Sequence, residues 1–250
     1  MFKKLFSRNS GNAGAAYAAP EDTVIYAIGD VHGRIDLLED LERKILRDAE
    51  GRSASRRVLV YLGDFVDRGY QSREVIDHLL APGPQGFERV FLQGNHEEFL
   101  LRFLDDSSVA RSWFSNGGIE TLMSYGVEVS MSATEVSRVQ AGFKTAFPDT
   151  HRAFLKSLPD MHREGGYVFV HARVRPGIPL EEQNSEDLRW IRGEFLEDSR
   201  DHGAVVVHGH TVEDSPVDRP NRIGVDTGAY ASSRLTCVVL EGRARDFLST

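Results

Sequence analysis

Residues 23–33 read TVIYAIGDVHG: six apolar or β-branched positions running into a glycine, an aspartate, a histidine two places later and a second glycine. An apolar run of that length bounded by glycine predicts a buried strand. Alternate residues of an extended chain share a face, so Asp30 and His32 should point the same way as the strand ends. A carboxylate and an imidazole converging on one point are oxygen and nitrogen donors suited to a divalent cation.

The pattern repeats down the chain. Val58–Leu62 (VLVYL) runs into Gly63-Asp64-Phe65-Val66-Asp67-Arg68-Gly69, and Val90–Leu92 into Gly94-Asn95-His96-Glu97. Tyr167–Val170 leads to His171-Ala172-Arg173, and Ala204–Val207 to His208-Gly209-His210-Thr211. Two more runs, Ile223–Val225 and Leu235–Leu240, end at Asp226 and Glu241. Charged stretches of helical period lie between them. In Leu37–Ala49 the repeat places Leu37, Leu38, Leu41, Ile45 and Leu46 on one face, and Ser72–Leu80 predicts a second helix. Residues 97–160 hold helical stretches broken by Gly117-Gly118 and Gly126, which predicts a helical insertion. Strands aliphatic at consecutive positions are buried on both faces. The expected fold is α/β (α+β), a sheet covered by helices to which the later strands add antiparallel strands in a two-sheet sandwich, in one domain over residues 23–250.

Bulk composition narrows the function. With 250 residues, 40% hydrophobic and 27% charged, the chain falls in the ordinary globular class. A net charge of −8 disfavours a broad cationic surface, so nucleic acid is not expected as a partner. Cys237 is the only cysteine, which excludes an intrachain disulfide and a cysteine zinc cage and fits a reducing, cytoplasmic location. The start carries Lys3 and Lys4 but lacks the apolar centre of a signal peptide, so residues 1–22 are expected to form a mobile lead. No stretch approaches the roughly 20 apolar residues of a membrane span, and no stable membrane association is expected.

GDVHG, GDFVDRG, GNHE and GHT, in this order after predicted strands, resemble the signature set of the phosphoprotein phosphatase branch of the calcineurin-like metallophosphoesterases, from about Thr23 to Glu241. The resemblance implies a two-sheet β-sandwich flanked by helices and two divalent metal ions, Mn²⁺ first, with Fe or Zn²⁺ as alternatives. By residue, it implies that Asp30 and His32 hold one ion, that Asp64 bridges both, and that Asn95, His171 and His210 hold the other. A hydroxide bridging the ions would attack phosphorus, and His96, oriented by Asp67, would protonate the leaving alkoxide. Arg68 and Arg192, with Asn95, would grip the phosphate. The implied activity is phosphomonoester hydrolysis on a phosphoprotein or a phosphorylated small molecule, with a serine/threonine protein phosphatase as first reading. Bis(5′-nucleosyl)-tetraphosphate hydrolysis is the alternative on much the same ligands. Bacterial relatives usually carry glycine where Arg173 stands, which keeps a third reading open, a metal-binding interaction protein with weak turnover.

Other polar and aromatic residues have plainer readings. Asp226-Thr227-Gly228 fits a turn after a buried strand, His208 a support beside His210, and Trp113 and Phe143 the core of the insertion. His151, His162 and His202 lie in polar stretches and are expected to be solvated.

Overall fold

The computed structural model describes residues 17–129 and 133–250. In chain order its strands are β1 (Thr23–Ile28), β2 (Arg56–Tyr61), β3 (Phe87–Phe91), β4 (Met161–Glu164), β5 (Tyr167–Val170), β6 (Val205–His208), β7 (Val217–Asp218), β8 (Arg222–Gly224), β9 (Thr236–Glu241) and β10 (Ala244–Ser249). They form two sheets of five, ordered β10-β9-β1-β2-β3 and β4-β5-β6-β8-β7. The centres are parallel, β1 to β2 to β3 and β5 to β6 to β8, while β10, β9, β4 and β7 pair antiparallel. The second sheet is thus antiparallel only at its edges and not throughout, because the connections from β5 to β6 and from β6 to β8 cross back to the same end of the sheet before the next strand begins. The short strands β4 and β7 and the last strand β10 carry too little aliphatic sequence to announce themselves.

β1 shows why its sequence is apolar without alternation. Val24, Tyr26 and Ile28 pack beneath the helices, whereas Ile25 and Ala27 face the second sheet, meeting Tyr167, Phe169, Val205 and Val207. The outer face of the second sheet, Val168, Val170 and Val206, is covered by Leu188 and Phe195. The layers are helix, sheet, sheet, helix, the two-sheet sandwich expected from the sequence.

Helix α1 (Ile35–Glu50) buries Leu37, Leu38, Leu41, Ile45 and Ala49. Leu46, expected on that stripe, is 37% exposed, because one step past Ile45 turns it about 100° away. Helix α2 (Ser72–Leu80) follows as expected. Residues 95–157 then form α3 (Asn95–Asp105), α4 (Ala110–Trp113), a π-helical turn at Phe114–Gly118, α5 (Ile119–Ser124), α6 (Ala133–Ala146) and α7 (Asp149–Ser157). Phe103, Trp113, Tyr125, Phe143 and Phe147 join one aromatic cluster there, with Phe103 and Trp113 4.8 Å apart. His151 is not solvated: it is buried, with Nδ1 2.8 Å from the Tyr125 hydroxyl and Nε2 2.9 Å from Asp77, a hydrogen-bonded seam between α7 and α2. Shorter helices α8 (Ser185–Trp190), α9 (Glu194–Glu197) and α10 (Ala229–Ser232) lie among the later strands. His202 stacks on Phe195 at 5.2 Å and His162 is half-buried, so neither is simply solvated.

Of the expected mobile lead, residues 1–16 lie outside the described residues. From Tyr17 onward the chain is docked: the Tyr17 hydroxyl donates to Asp201, Gly166 N–H donates to the Ala18 carbonyl, and Ala19 N–H donates to the Gly242 carbonyl. Three backbone and side-chain hydrogen bonds to three separate connections hold this segment before β1 begins. No helix among the described residues is long and apolar enough to cross a membrane.

Candidate metal centre

The loops after β1, β2, β3, β5, β6 and β8 converge where the parallel strands of both sheets end, the usual place for a site in such sheets. Backbone bonds splice them together: Val31 and His32 N–H both donate to the Asp64 carbonyl, and Gly209 N–H donates to the His171 carbonyl. Seven non-glycine residues among those described have positive φ, and five of them are His32, Asp64, Asp67, Arg68 and His210. A left-handed backbone costs such a residue roughly 1 kcal/mol or more, so strain is concentrated where the sequence placed the site.

Glu97 holds the floor of this arrangement. Its buried carboxylate accepts the backbone N–H groups of Asp64, Phe65 and Gly94 at 2.8–2.9 Å and of Val66 at 3.3 Å. The sequence reading gave it no role, although an acid three residues past Gly94 at the start of a helix is a capping signal. A Cβ on Gly94 would lie 2.1 Å from Asp64 Oδ1, so the glycine is what lets the third strand's loop close on that carboxylate.

Three imidazoles aim Nε2 at one oxygen of Asp64: His171 at 3.3 Å, His32 at 3.6 Å and His96 at 3.8 Å. His32 and His171 each place Nδ1 2.9 Å from a backbone carbonyl, of Val66 and Leu62. A carbonyl only accepts, so Nδ1 carries a proton in both rings and Nε2 is the nitrogen that meets Asp64, as a donor while the ring is charged and as a ligand atom once it is neutral. Asn95 Oδ1 stands 2.9 Å from both His171 Nε2 and His210 Nδ1, and the buried Nε2 of His210 has no hydrogen-bond partner. His32, Asp64 and His96 form one group whose ligand atoms lie within 4.8 Å of one another, and Asp64, His171 and His210 form another. Asp30 sits against the second, its carboxylate accepting His210 N–H at 3.0 Å.

Carboxylate and amide oxygens crowded into a buried pocket draw in positive charge, and the protons that Asp30 and His171 hold on to reflect the same pull. Burial, then the Asp226 carboxylate, pushes Asp30 well above the usual carboxylate range. Burial would also raise Asp64, but the His171 and His96 charges hold it well below. Burial works against a charge on His171, yet the Asp64 carboxylate pushes its pKa up to about 9. Burial, with the His171 charge added, brings His210 down to about 2. A nitrogen and oxygen donor set with no thiolate, centred on a shared carboxylate, fits a pair of divalent cations.

Beside this cluster, His96 donates Nδ1–H to Asp67 at 2.7 Å, and its Nε2 lies 3.4 Å from Arg68. Burial opposes a proton on His96, but Asp64 and the Asp67 hydrogen bond together raise its pKa. Asp67 is fully buried and also accepts from Trp113 Nε1 at 2.8 Å and from Thr121 Oγ1 at 2.6 Å, while its own N–H donates to Ser72 and Thr121. Trp113 is thus core, as expected, and also a partner of the site, as are Thr121 and Ser72, which the sequence reading passed over.

The remaining expected residues fall around the rim. Arg68 is half-buried, with its guanidinium 4.5 Å from the Tyr230 ring centre. Arg192 is exposed, and its charge contributes to lowering the His210 pKa. Arg173 is fully buried: it donates to the Ile191 carbonyl at 2.8 Å and to Thr211 Oγ1, tying the loop of Arg192 to the loop of His210. Its Nε has no partner and no carboxylate pairs with it among the described residues; burial, then Arg192 and Arg222, brings its pKa down to about 10. His208 packs edge-on against Phe195, its Nδ1 3.1 Å from the Gly209 carbonyl. The Asp226 carboxylate accepts Gly228 N–H at 2.9 Å, as a turn requires.

Relatives match the same stretch of chain. The asymmetrical bis(5′-nucleosyl)-tetraphosphatase PrpE of Bacillus subtilis is 26% identical over 228 residues, covering 84% of this chain and 87% of that protein. The PP2A-like serine/threonine-protein phosphatase PPG1 of Candida albicans is 44% identical, but over only 75 residues, 29% of this chain and 16% of that protein. The match to a nucleotide hydrolase is thus the extended one, and the first reading, a protein phosphatase, finds only short support. The fold coincides with that of a solved protein described as a putative diadenosine tetraphosphatase, at TM-score 0.62 and 20% identity over 93% of this chain and 98% of that one. The profile of the calcineurin-like phosphoesterases spans residues 23–222, and the chain, with its strand-end cluster of carboxylates and imidazoles, belongs to that family of metallophosphoesterases.

Proposed function

We propose that the protein hydrolyses bis(5′-nucleosyl) tetraphosphates asymmetrically, releasing a nucleoside triphosphate and a nucleoside monophosphate. The observation that carries the chemistry is the pair of donor groups sharing Asp64, the first of which includes His96 held by Asp67. The extended match to the PrpE protein supports the substrate class. Asp30, His32 and Asp64 would hold one divalent cation, and Asp64, Asn95, His171 and His210 the other, with Mn²⁺ first and Fe or Zn²⁺ as alternatives. When bound, the cations supply Lewis acidity and an acidified water. His96 gives its Nε2 proton to the leaving phosphate oxygen, Asp67 fixes the ring through Nδ1, and Arg68 and Arg192 neutralise the phosphate oxygens. The strong but short match to PPG1 favours phosphoprotein hydrolysis as the second reading.

Chelator-stripped protein, reloaded with Mn²⁺, would be offered bis(5′-adenosyl) tetraphosphate, a phosphoserine peptide and p-nitrophenyl phosphate, with products separated by ion exchange. The expected result is metal-dependent formation of ATP and AMP, abolished by Asp64→Asn and reduced about 10²–10⁴-fold by His96→Asn, the range for losing a proton-transfer group. Faster turnover of the peptide than of the dinucleotide would replace this reading with the second. Two ADP molecules as product would move the cut to the centre of the tetraphosphate.

A further inference from the structure

Next to Arg68 a cavity of about 490 Å³ opens between Tyr230 and the insertion segment 114–120. That size is within the roughly 300–1,000 Å³ of small-molecule sites. We propose that this cavity receives the purine base and ribose of the nucleoside nearest the metals, an inference that rests on the nucleotide reading above and locates its specificity.

Arg68 belongs to both places. Its guanidinium is 3.4 Å from His96 at the centre and 4.5 Å from the Tyr230 ring at the cavity. An asymmetrical cut breaks the first anhydride bond beside one nucleoside, so that nucleoside is esterified either to the reacting phosphorus or to the phosphate next to it. A phosphate gripped by Arg68 therefore delivers whatever is esterified to it at the mouth of this cavity. The cavity wall and the grip are one unit: Arg68 N–H donates to the Gly117 carbonyl at 3.1 Å, and a Cβ on Gly117, at φ +100°, would fall 2.5 Å from Arg68 N.

The lining suits a neutral aromatic ligand better than a second phosphate. Tyr230 is 39% exposed, and its ring is set edge-on against His32 at 5.5 Å, so a stacking surface is held in a fixed plane. Every base has a π-face that can stack on such a ring. Glu120 is half-buried and makes no hydrogen bond or ion pair among the described residues, and an unpaired carboxylate repels phosphate but accepts from ribose hydroxyls or an amino group. Asn116 donates one N–H to the Ser112 carbonyl at 2.8 Å, which leaves its Oδ1 and a second N–H for the edge of a base. Phe114 closes the apolar side.

The test compares AMP with ribose 5-phosphate as inhibitors of p-nitrophenyl phosphate hydrolysis by the Mn²⁺-loaded protein. The two share phosphate and sugar and differ by the base. AMP is expected to bind at least tenfold more tightly, Tyr230→Ala to cut that ratio below threefold, and Tyr230→Trp to preserve it. Glu120→Ala and Asn116→Ala, both on the outer segment, should each lower the ratio and serve if Tyr230→Ala fails to fold. Equal inhibition in the unaltered protein, or a ratio untouched by these changes, overturns the subsite. The ratio is independent of dinucleotide turnover: a base preference through Tyr230 without tetraphosphate cleavage would keep the subsite and remove the substrate reading, and cleavage without a base preference would do the reverse.

Discussion

Two regions meet at Asp67, and they are built on different principles. The strand-end floor takes its residues in short blocks, each ligand within a few positions of a strand terminus, so local geometry fixes what sequence must stand there. The insertion reaches the same carboxylate through Trp113 and Thr121, 46 and 54 residues along the chain. Neither of those contacts has a local pattern, because only the packed tertiary structure brings them to Asp67. The difference teaches that groups able to do chemistry are constrained by spacing, whereas groups that position them are constrained by packing.

The largest test falls on the floor. Glu97→Ala leaves four buried backbone N–H groups without their acceptor. Burial, then the Asp64 charge, pushes the Glu97 pKa up to about 7, so the acceptor is only partly ionised at neutral pH; at about 1 kcal/mol for each hydrogen bond the expected loss is about 3–5 kcal/mol of unfolding free energy, read from the denaturant midpoint. Metal-dependent activity should fall with it, since Asp64 is carried on the loop that Glu97 anchors. A loss below about 1 kcal/mol would show that the strained loops hold themselves, and the floor would no longer differ from the insertion in the way described.

The second test asks whether the insertion does more than cover the core. Trp113→Phe keeps an aromatic ring among Phe103 and Phe143 but removes the N–H that Asp67 accepts. kcat is expected to fall about tenfold with KM unchanged, about 1.4 kcal/mol in the barrier and the size of one hydrogen bond to a carboxylate. Thr121→Val should act in the same direction. Unaltered kcat in a folded Trp113→Phe protein would reduce the insertion to packing.

Legibility followed the same line. Thr23–Ile28, Ser72–Leu80 and Tyr167–Val170 were readable to the residue because they are continuous aliphatic strands or a helix between clear breakers. Asp30, His32, Asp64, Asn95, His96, His171 and His210 were readable as one cluster because each follows such a strand. Glu97, Trp113, Thr121 and the buried state of His151 were not, since each depends on a partner distant in sequence. Leu46 shows the limit of periodicity by itself: five leucines and isoleucines compete for a stripe that holds four of them.

Arg173 separates stability from activity within the floor. As a buried cation with two neutral acceptors and no carboxylate partner among the described residues, it is expensive to desolvate, while its bonds join the loops of Arg192 and His210. Arg173→Met should therefore change unfolding free energy by less than about 1 kcal/mol, the lost hydrogen bonds being offset by relief of the buried charge. Activity should drop several-fold, through KM for a phosphorylated substrate more than through kcat, as Arg192 loses its tether. A stability loss of several kcal/mol would make Arg173 a packing residue of the floor like any other.

The smallest expected effect probes the seam between insertion and floor. Burial lowers the pKa of His151, against the pull of its bond to Asp77. In the unfolded chain the same ring has its ordinary value near 6.5. Above that pH both states are neutral and the buried ring keeps its bonds to Tyr125 and Asp77. As pH falls below about 6.5 the unfolded chain takes up a proton that the folded one resists, so stability drains away until the lower folded value is passed. His151→Gln replaces the ring with a group that bonds to both partners and does not titrate. The thermal midpoints of the two proteins should differ most at pH 7.5 and converge toward pH 5.5, with the unaltered protein losing its advantage. A constant difference across that range would mean that the seam is held by shape and not by the neutral imidazole, leaving the contacts around Asp67 and Arg68 as the polar link that matters to the floor.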